Sequence, residues 1–194
     1  MNVFVGVDPG LDGAIAGLLD GKLWVFDAPT KDVPYTKKLS KKKSAELGVK
    51  TLDTTRREID VDEVKVILNF LISGTDSGAG IIEKVSARPG NGGTSMFRFG
   101  DTFGVLRCAL AWYKSLGFKI HEPLRPQEWK KILWPNMPKK MSKKDQKTFA
   151  RKYVMEKFPD MKDEFKLVKH DGRAEAVCIA LCVQQIYSGV QKDG

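Results

Sequence analysis

VFVGVDPG, at residues 3–10, is a short apolar run that ends in an aspartate and a Pro-Gly turn. Such a run between turn residues is typical of a strand that is buried on both faces, at the centre of a sheet. Asp8 therefore lies at the end of a core strand, where an unpaired carboxylate is costly. A divalent cation would compensate this charge, because it takes oxygen ligands. An aspartate that caps the following turn explains Asp8 equally well.

Apolar runs at residues 14–19 and 23–26 predict two more strands, which would form an antiparallel meander with the first. Residues 60–71 have helical spacing. Residues 79–85, AGIIEKV, predict a fourth strand whose apolar run is interrupted by Glu83. A glutamate in a core strand suggests a functional role, and an edge position that faces water is the alternative.

The second half of the chain predicts further helices and a short strand. Helices are expected at residues 95–116, at 128–133 after Pro126, in 139–157 with Ser142 as N-cap, and at 171–187; the strand is expected at 118–121. Gly100 and Gly104 lie one turn apart in the first of these helices, which suggests close backbone packing. We expect Trp129 to pack in the interior.

The chain has 194 residues and a formal net charge of +9, which suits one domain and a polyanionic partner. A solvated lysine-rich face would give the same charge. Residues 31–57 show no periodic pattern, so we expect a basic loop or arm that is mobile without a partner. The candidate nucleic-acid-binding residues are Lys41, Lys42, Lys43, Arg88, Lys130, Lys139, Lys140, Lys143, Lys144 and Lys147.

Neither a membrane segment nor a disulfide framework is indicated. No apolar run reaches 18 residues and the N-terminus has a strand pattern, so we expect a cytoplasmic protein. Of the three cysteines, Cys178 and Cys182 lie in an apolar run without nearby histidines. We expect both to be buried, reduced thiols.

Asp171 and Glu175 are four residues apart at the start of the last predicted helix, so they share one face. Two like charges on one face repel each other unless a cation lies between them. The helix dipole explains an acid at the first position easily. It explains Glu175 less well, because that residue lies deeper in the helix.

Three acidic motifs in this order, VGVDPG, IIEKV and HDGRAEAVCIA, resemble those of the RuvC-type Holliday junction resolvases of the ribonuclease H-like superfamily. The closest resemblance is to the phage-encoded relatives. The intervening segments FGDTFGVLRCAL, PQEWKKIL and KKDQKTFARKYVMEKFP resemble the phage members too. The resemblance therefore covers nearly the whole chain.

The resemblance implies an α/β, ribonuclease H-like fold in one domain, residues 1–194, with a mixed five-stranded sheet flanked by helices. It also implies a homodimeric endonuclease of DNA recombination and repair that cuts four-way junctions and other branched DNA. Asp8, Glu83, Asp171 and Glu175 would bind two Mg²⁺ ions per active site, with Asp8 bridging them and Mn²⁺ as a substitute.

The chain departs from the bacterial resolvases in two ways. Their last two ligands are usually three residues apart, whereas Asp171 and Glu175 are four apart, and His170 is a neighbour. We expect Asp171 to be the fourth ligand, because a hard cation prefers oxygen. The bacterial aromatic residue after the strand glutamate is missing; Phe97 or Phe99 could replace it, and at least one of these is expected in the core.

Three alternatives remain. A flap nuclease or ribonuclease H-type nuclease would share every ligand. An ATP-binding protein of the actin/sugar-kinase fold would cradle phosphate with Asp8-Pro-Gly and Asp12-Gly13, but that fold needs a second domain of similar size. A non-catalytic DNA-binding module is opposed by the four acids, which would repel DNA without metal.

Overall fold

The computed structural model describes residues 1–86, 90, 92–138 and 141–190. Its strands are β1 Asn2–Asp8, β2 Ala14–Leu19, β3 Lys22–Asp27, β4 Thr30–Lys38, β5 Thr51–Ile59, β6 Ser77–Ile82 and β7 Lys119–Ile120. Its α-helices are α1 Lys41–Leu47, α2 Val61–Ile72, α3 Gly93–Ala111, α4 Pro126–Leu133, α5 Lys143–Lys157 and α6 Asp171–Val190.

A mixed sheet of five strands, in the order β3-β2-β1-β6-β7, carries the fold. Strands β1, β2 and β3 form the expected antiparallel meander, and β6 and β7 extend the sheet in parallel to β1. One core cluster packs α4, α5 and α6 against one face, and a second packs α2 and α3 against the other. This topology confirms the predicted α/β class with a mixed five-stranded sheet flanked by helices.

Helix α6 crosses β1 in direct backbone contact. A Cβ atom built at Gly6 would lie less than 3.0 Å from the carbonyl oxygen of Ala176 and the nitrogen of Ala180. Glycine in the strand and alanines in the helix are therefore what permit this approach. Arg173 fixes the same helix against β3, because its Nε lies 2.6 Å from Asp27 Oδ1 and its Nη2 lies 2.8 Å from Asp27 Oδ2.

The prediction that residues 31–57 lack regular structure was wrong. Strands β4 and β5 pair over nine residues each, from Thr30 opposite Ile59 to Lys38 opposite Thr51, and α1 lies at the tip of this hairpin. Within residues 30–59, all of which are described, only Ile59 is buried. Because no residue of the hairpin except Ile59 is fully buried, its sequence lacks the apolar alternation that identifies a half-buried strand.

Three smaller corrections concern element ends and glycines. Strand β6 ends at Ile82, so Glu83 follows the strand and forms a single parallel bridge with Leu124. Helix α3 ends at Ala111 and continues as a 3₁₀ helix at 112–116. A Cβ at Gly100 or Gly104 would meet nothing within 4 Å, so the expected close packing at these glycines was wrong.

Three expectations on helices and cysteines were confirmed. Helix α2 buries its predicted apolar face, Ser142 caps α5, and Cys178 and Cys182 are buried free thiols. In the part of the chain that the structure describes, no helix has the length and apolar character needed to cross a membrane.

Substitution of Gly6 by alanine should lower the free energy of unfolding by about 1–3 kcal/mol, because the added methyl group overlaps the backbone of α6. The matched control is Gly104→Ala, which adds the same methyl group on an open helix surface and should stabilise by about 0.5–1 kcal/mol. Urea denaturation of both variants measures the difference. Equal effects of the two substitutions would contradict the packing argument.

Candidate functional site

An open cleft of about 830 Å³ is lined by all four acids that the sequence analysis selected. Asp8 is the last residue of β1, and Glu83 follows β6 directly. Because β1 and β6 are parallel, their carboxyl ends lie at the same edge of the sheet. Asp171 and Glu175 come from the first two turns of α6.

The first turn of α6 lies against the loop that follows β1. A Cβ at Gly172 would overlap the carbonyl oxygen of Asp12 and would lie 3.2 Å from Asp8 Oδ2. Helix α6 begins at Asp171, so Asp171 and Glu175 are one turn apart and both line the cleft. Both side chains therefore lie on the same side of α6, as their four-residue spacing predicts.

Asp8 has an unfavourable environment for a charged carboxylate. Loss of hydration is the main cause that raises the pKa of Asp8 well above its usual value, and the negative charges of Glu175 and Glu83 raise it further. The positive charges of Lys147 and Lys130 oppose this shift. The carboxylates at the floor of the cleft are therefore close enough to repel one another.

Basic side chains from α4 and α5 neutralise the acids of α6. Lys130 Nζ lies 3.6 Å from Glu175 Oε1. Arg151 Nε lies 2.9 Å from Asp171 Oδ1, and Lys147 Nζ lies 3.5 Å from Asp171 Oδ2. The Lys130 and Arg151 side chains are only 13% and 12% exposed. The structure thus places Lys130 on a cleft carboxylate, and it adds Arg151, which the sequence analysis did not select.

Trp129 orients Glu83. The indole is fully buried, as expected, and its Nε1 donates a hydrogen bond to Glu83 Oε2 at 2.8 Å. A buried tryptophan needs a partner for its N–H group, and this partner is the strand glutamate. Sequence reasoning missed this contact because the two residues are 46 positions apart.

The donor chemistry of the cleft fits a hard divalent cation. Its four carboxylates supply oxygen ligands, and their mutual repulsion at Asp8 favours a cation between them. Among the described residues, no three His, Cys, Asp or Glu side chains converge closely enough to hold a metal ion. Lys130, Lys147 and Arg151 pair with the α6 acids instead, so metal binding requires these acids to exchange partners.

The fold is similar to two solved structures of the Thermus thermophilus protein RuvC. One is described as T. thermophilus RuvC in complex with Holliday junction substrate, with 13% identity and a TM-score of 0.48. The other is a Thermus thermophilus RuvC structure, with 14% identity and a TM-score of 0.46. Each alignment covers 97% of this chain and 96% of that chain.

No protein-family model matches the chain, and no curated protein matches its sequence.

His170 lies outside the cleft lining, at the end of a short 3₁₀ helix. Its Nδ1 accepts a hydrogen bond from the Leu167 nitrogen at 3.4 Å. Loss of hydration and the neighbouring charge of Arg173 lower the pKa of His170. The imidazole is therefore engaged away from the four acids.

The candidate nucleic-acid-binding residues fall into three groups. Lys143 and Lys147 line the cleft together with Lys130. Exposed positions that do not line it are Lys144 on α5 and Lys41, Lys42 and Lys43 on α1. Arg88, Lys139 and Lys140 lie outside the described residues.

The expectation that Phe97 or Phe99 packs in the core was wrong. Phe97 is 78% exposed and Phe99 is 39% exposed, both on the first turns of α3. Phe99 lines the acidic cleft, so an aromatic face is present at its edge.

Asp8→Asn should raise the free energy of unfolding in EDTA. The difference in this free energy between the variant and wild type should increase as the pH rises from 5 to 8. The folded protein holds the Asp8 proton at pH values where the unfolded chain has lost it, because the folded pKa is raised. Wild type therefore loses stability as the pH rises toward that raised pKa, and the asparagine variant does not.

Urea denaturation at several pH values measures this difference. Asp32→Asn, which removes an exposed carboxylate on the hairpin, is the control and should show no such trend. A pH-independent difference between Asp8→Asn and wild type would contradict the prediction.

Proposed function

We propose that this protein is a metal-dependent, structure-specific endonuclease that cuts four-way (Holliday) junctions and other branched DNA. One observation carries the proposal: carboxylates from two strand ends and one helix line a single cleft that also contains Lys143 and Lys147. Such a cleft combines ligands for divalent cations with positive charge for a phosphate backbone.

The proposed ligands are Asp8, Glu83, Asp171 and Glu175, and the proposed cation is Mg²⁺, two ions per site, with Mn²⁺ as a substitute. When bound, the ions supply an activated water and stabilise the leaving oxygen of phosphodiester hydrolysis. The protein itself forms no covalent intermediate in this proposal.

The residues of the cleft have distinct proposed tasks. Asp8 would hold the cation with its carboxylate, where the positive charge would compensate the neighbouring negative charges of Glu83 and Glu175. Trp129 keeps Glu83 oriented into the cleft through the 2.8 Å hydrogen bond. Lys143 and Lys147 attract the phosphate backbone, and Lys147 leaves Asp171 in order to do so.

The ATP-binding alternative is not favoured by the loop after β1. Gly10 N donates to Asp8 O and Gly13 N donates to Gly10 O, both at 3.0 Å, so these amides are already used within the loop. Asp12 pairs with Arg57, whose Nη2 lies 2.7 Å from Asp12 Oδ1. A phosphate cradle needs free amide groups. A flap or ribonuclease H-type nuclease remains the alternative on the same cleft.

We extend the proposal to a homodimer, because symmetric cutting of a four-way junction requires two active sites. We also propose that the protein belongs to the phage-encoded branch and acts in recombination and repair in the cytoplasm of the host. These parts rest on the motif resemblance.

The central test is cleavage of a labelled four-way junction, a flap, an RNA–DNA hybrid and a linear duplex, each with Mg²⁺ or EDTA. We expect cutting of the junction in Mg²⁺ only. Asp8→Asn, Glu83→Gln and Glu175→Gln should reduce cutting by about 10³-fold or more while junction binding in EDTA persists, because each amide retains shape but loses the charge needed for metal.

Asp32→Asn is the control variant and should cut at the wild-type rate. Wild-type cutting by any cleft variant would remove that residue from the site. If the hybrid or the flap is cut in preference to the junction, that structure and not the four-way junction is the substrate.

Asp171→Asn should be nearly inactive at every Mg²⁺ concentration, whereas His170→Ala should cut measurably. Asp171 lines the cleft, and His170 does not. Both variants are titrated with Mg²⁺ in the cleavage assay. The reverse order of activities would move the ligand role to His170.

A further inference from the structure

A second groove, of about 350 Å³, lies beside the acidic cleft, between the base of the β4–β5 hairpin and the first turns of α3. We call it the hairpin groove. Its lining includes the basic and aromatic side chains of Tyr35, Arg56, Arg57 and Arg98, together with the acids Glu58 and Asp101. Arg98 lines both the hairpin groove and the acidic cleft, as do Leu11 and Thr102, so the two depressions are continuous.

The strand register explains why these side chains meet. Val33 is opposite Arg56 and Tyr35 is opposite Thr54, so Tyr35 and Arg56 are diagonal neighbours on the same face of the hairpin. The opposite end of the groove is formed by α3, which contributes Arg98. The groove thus depends on the hairpin that the sequence analysis interpreted as a loop.

Two guanidinium groups lie against one aromatic ring in this groove. The Cζ atom of Arg56 is 5.1 Å from the centroid of the Tyr35 ring, and that of Arg98 is 5.3 Å from it. Both guanidinium groups therefore bring positive charge and N–H donors into the same groove, where an anion would be stabilised. Arg56 forms an ion pair with Glu58, yet its buried Nε has no hydrogen-bond partner among the described residues. A buried donor of this kind is costly unless a ligand accepts its hydrogen bond.

We propose that the hairpin groove binds a phosphodiester strand of the nucleic acid that occupies the acidic cleft. Arg56 and Arg98 contact phosphate oxygens, for which the planar guanidinium fork is suited. A guanidinium that turns from the Tyr35 ring to a phosphate leaves a ring face for a base. This inference rests on the proposed function, because it takes the ligand of the cleft to be DNA. Continuity with the cleft favours a nucleic acid over an acidic protein segment.

The test is the salt dependence of binding, measured by fluorescence anisotropy in EDTA with a labelled four-way junction and a labelled single strand. In R56Q/R98Q, the slope of log K against log salt should decrease in magnitude by about 1.8 on the junction and about 1.4 on the single strand. Arg107→Gln, on the same helix but outside both depressions, is the matched control and should retain the wild-type slope. An unchanged slope in R56Q/R98Q would overturn the proposal.

Further variants separate a binding role from a structural one. R56K/R98K keeps both charges and should restore the slope, whereas failure to restore it in a folded protein would contradict phosphate contact. Tyr35→Ala should weaken single-strand binding about fivefold or more, whereas Tyr35→Phe should not. If R56Q/R98Q does not fold, the single variant R56Q takes its place, with half the expected change in slope.

The outcomes also separate this inference from the proposed function. If the wild-type protein binds DNA through this groove but never cuts it, the proposed nuclease function is contradicted and the proposed binding by the groove still holds. If the wild type cuts junctions and R56Q/R98Q keeps the wild-type slope, only the proposed binding by the hairpin groove is contradicted. Displacement of DNA by polyglutamate at equal charge concentration would indicate a general anion site and overturn the assignment to nucleic acid.

Discussion

Backbone contact between β1 and α6 is the constraint on which the rest of the molecule depends. Gly6 allows the helix to lie directly on the central strand, and Ala176 and Ala180 are small enough to accept it. This contact brings the first turn of α6 to the end of β1, beside Asp8. The parallel pairing of β1 with β6 then adds Glu83 at the same edge. Residues far apart in the sequence therefore share one cleft because two elements have no side chain between them.

The cleft also contains its own countercharges. Lys130 on α4 and Arg151 on α5 are largely buried, and they pair with Glu175 and Asp171. Removing charged groups from water is unfavourable unless they are paired, so the acids and bases of this region stabilise one another. Helices α4 and α5 therefore hold the charged groups of the cleft in place as well as packing on the sheet. Trp129 belongs to the same arrangement, since it connects the core to Glu83.

The sheet and α6 were predicted well from the sequence, because most of their apolar residues are contiguous and buried. The positions of Asp8, Asp171 and Glu175 followed from the same patterns. The contacts of Trp129 and Arg151 could not be predicted, because no local period describes a pairing between distant segments. The β4–β5 hairpin was not predicted because its residues other than Ile59 are exposed or only half-buried, and its one partly covered face carries polar side chains such as Arg56.

The hairpin is attached to the fold in a way that makes it separable. Thr30 and Ile59 are directly opposite each other, so the chain leaves and re-enters the body of the protein at points about 5 Å apart. A short turn could join β3 to α2 across this gap without disturbing the central sheet. The packing of the central sheet therefore places no constraint on the length of the hairpin. In this architecture, one part of the molecule can be altered or removed without moving the elements that carry the four acids.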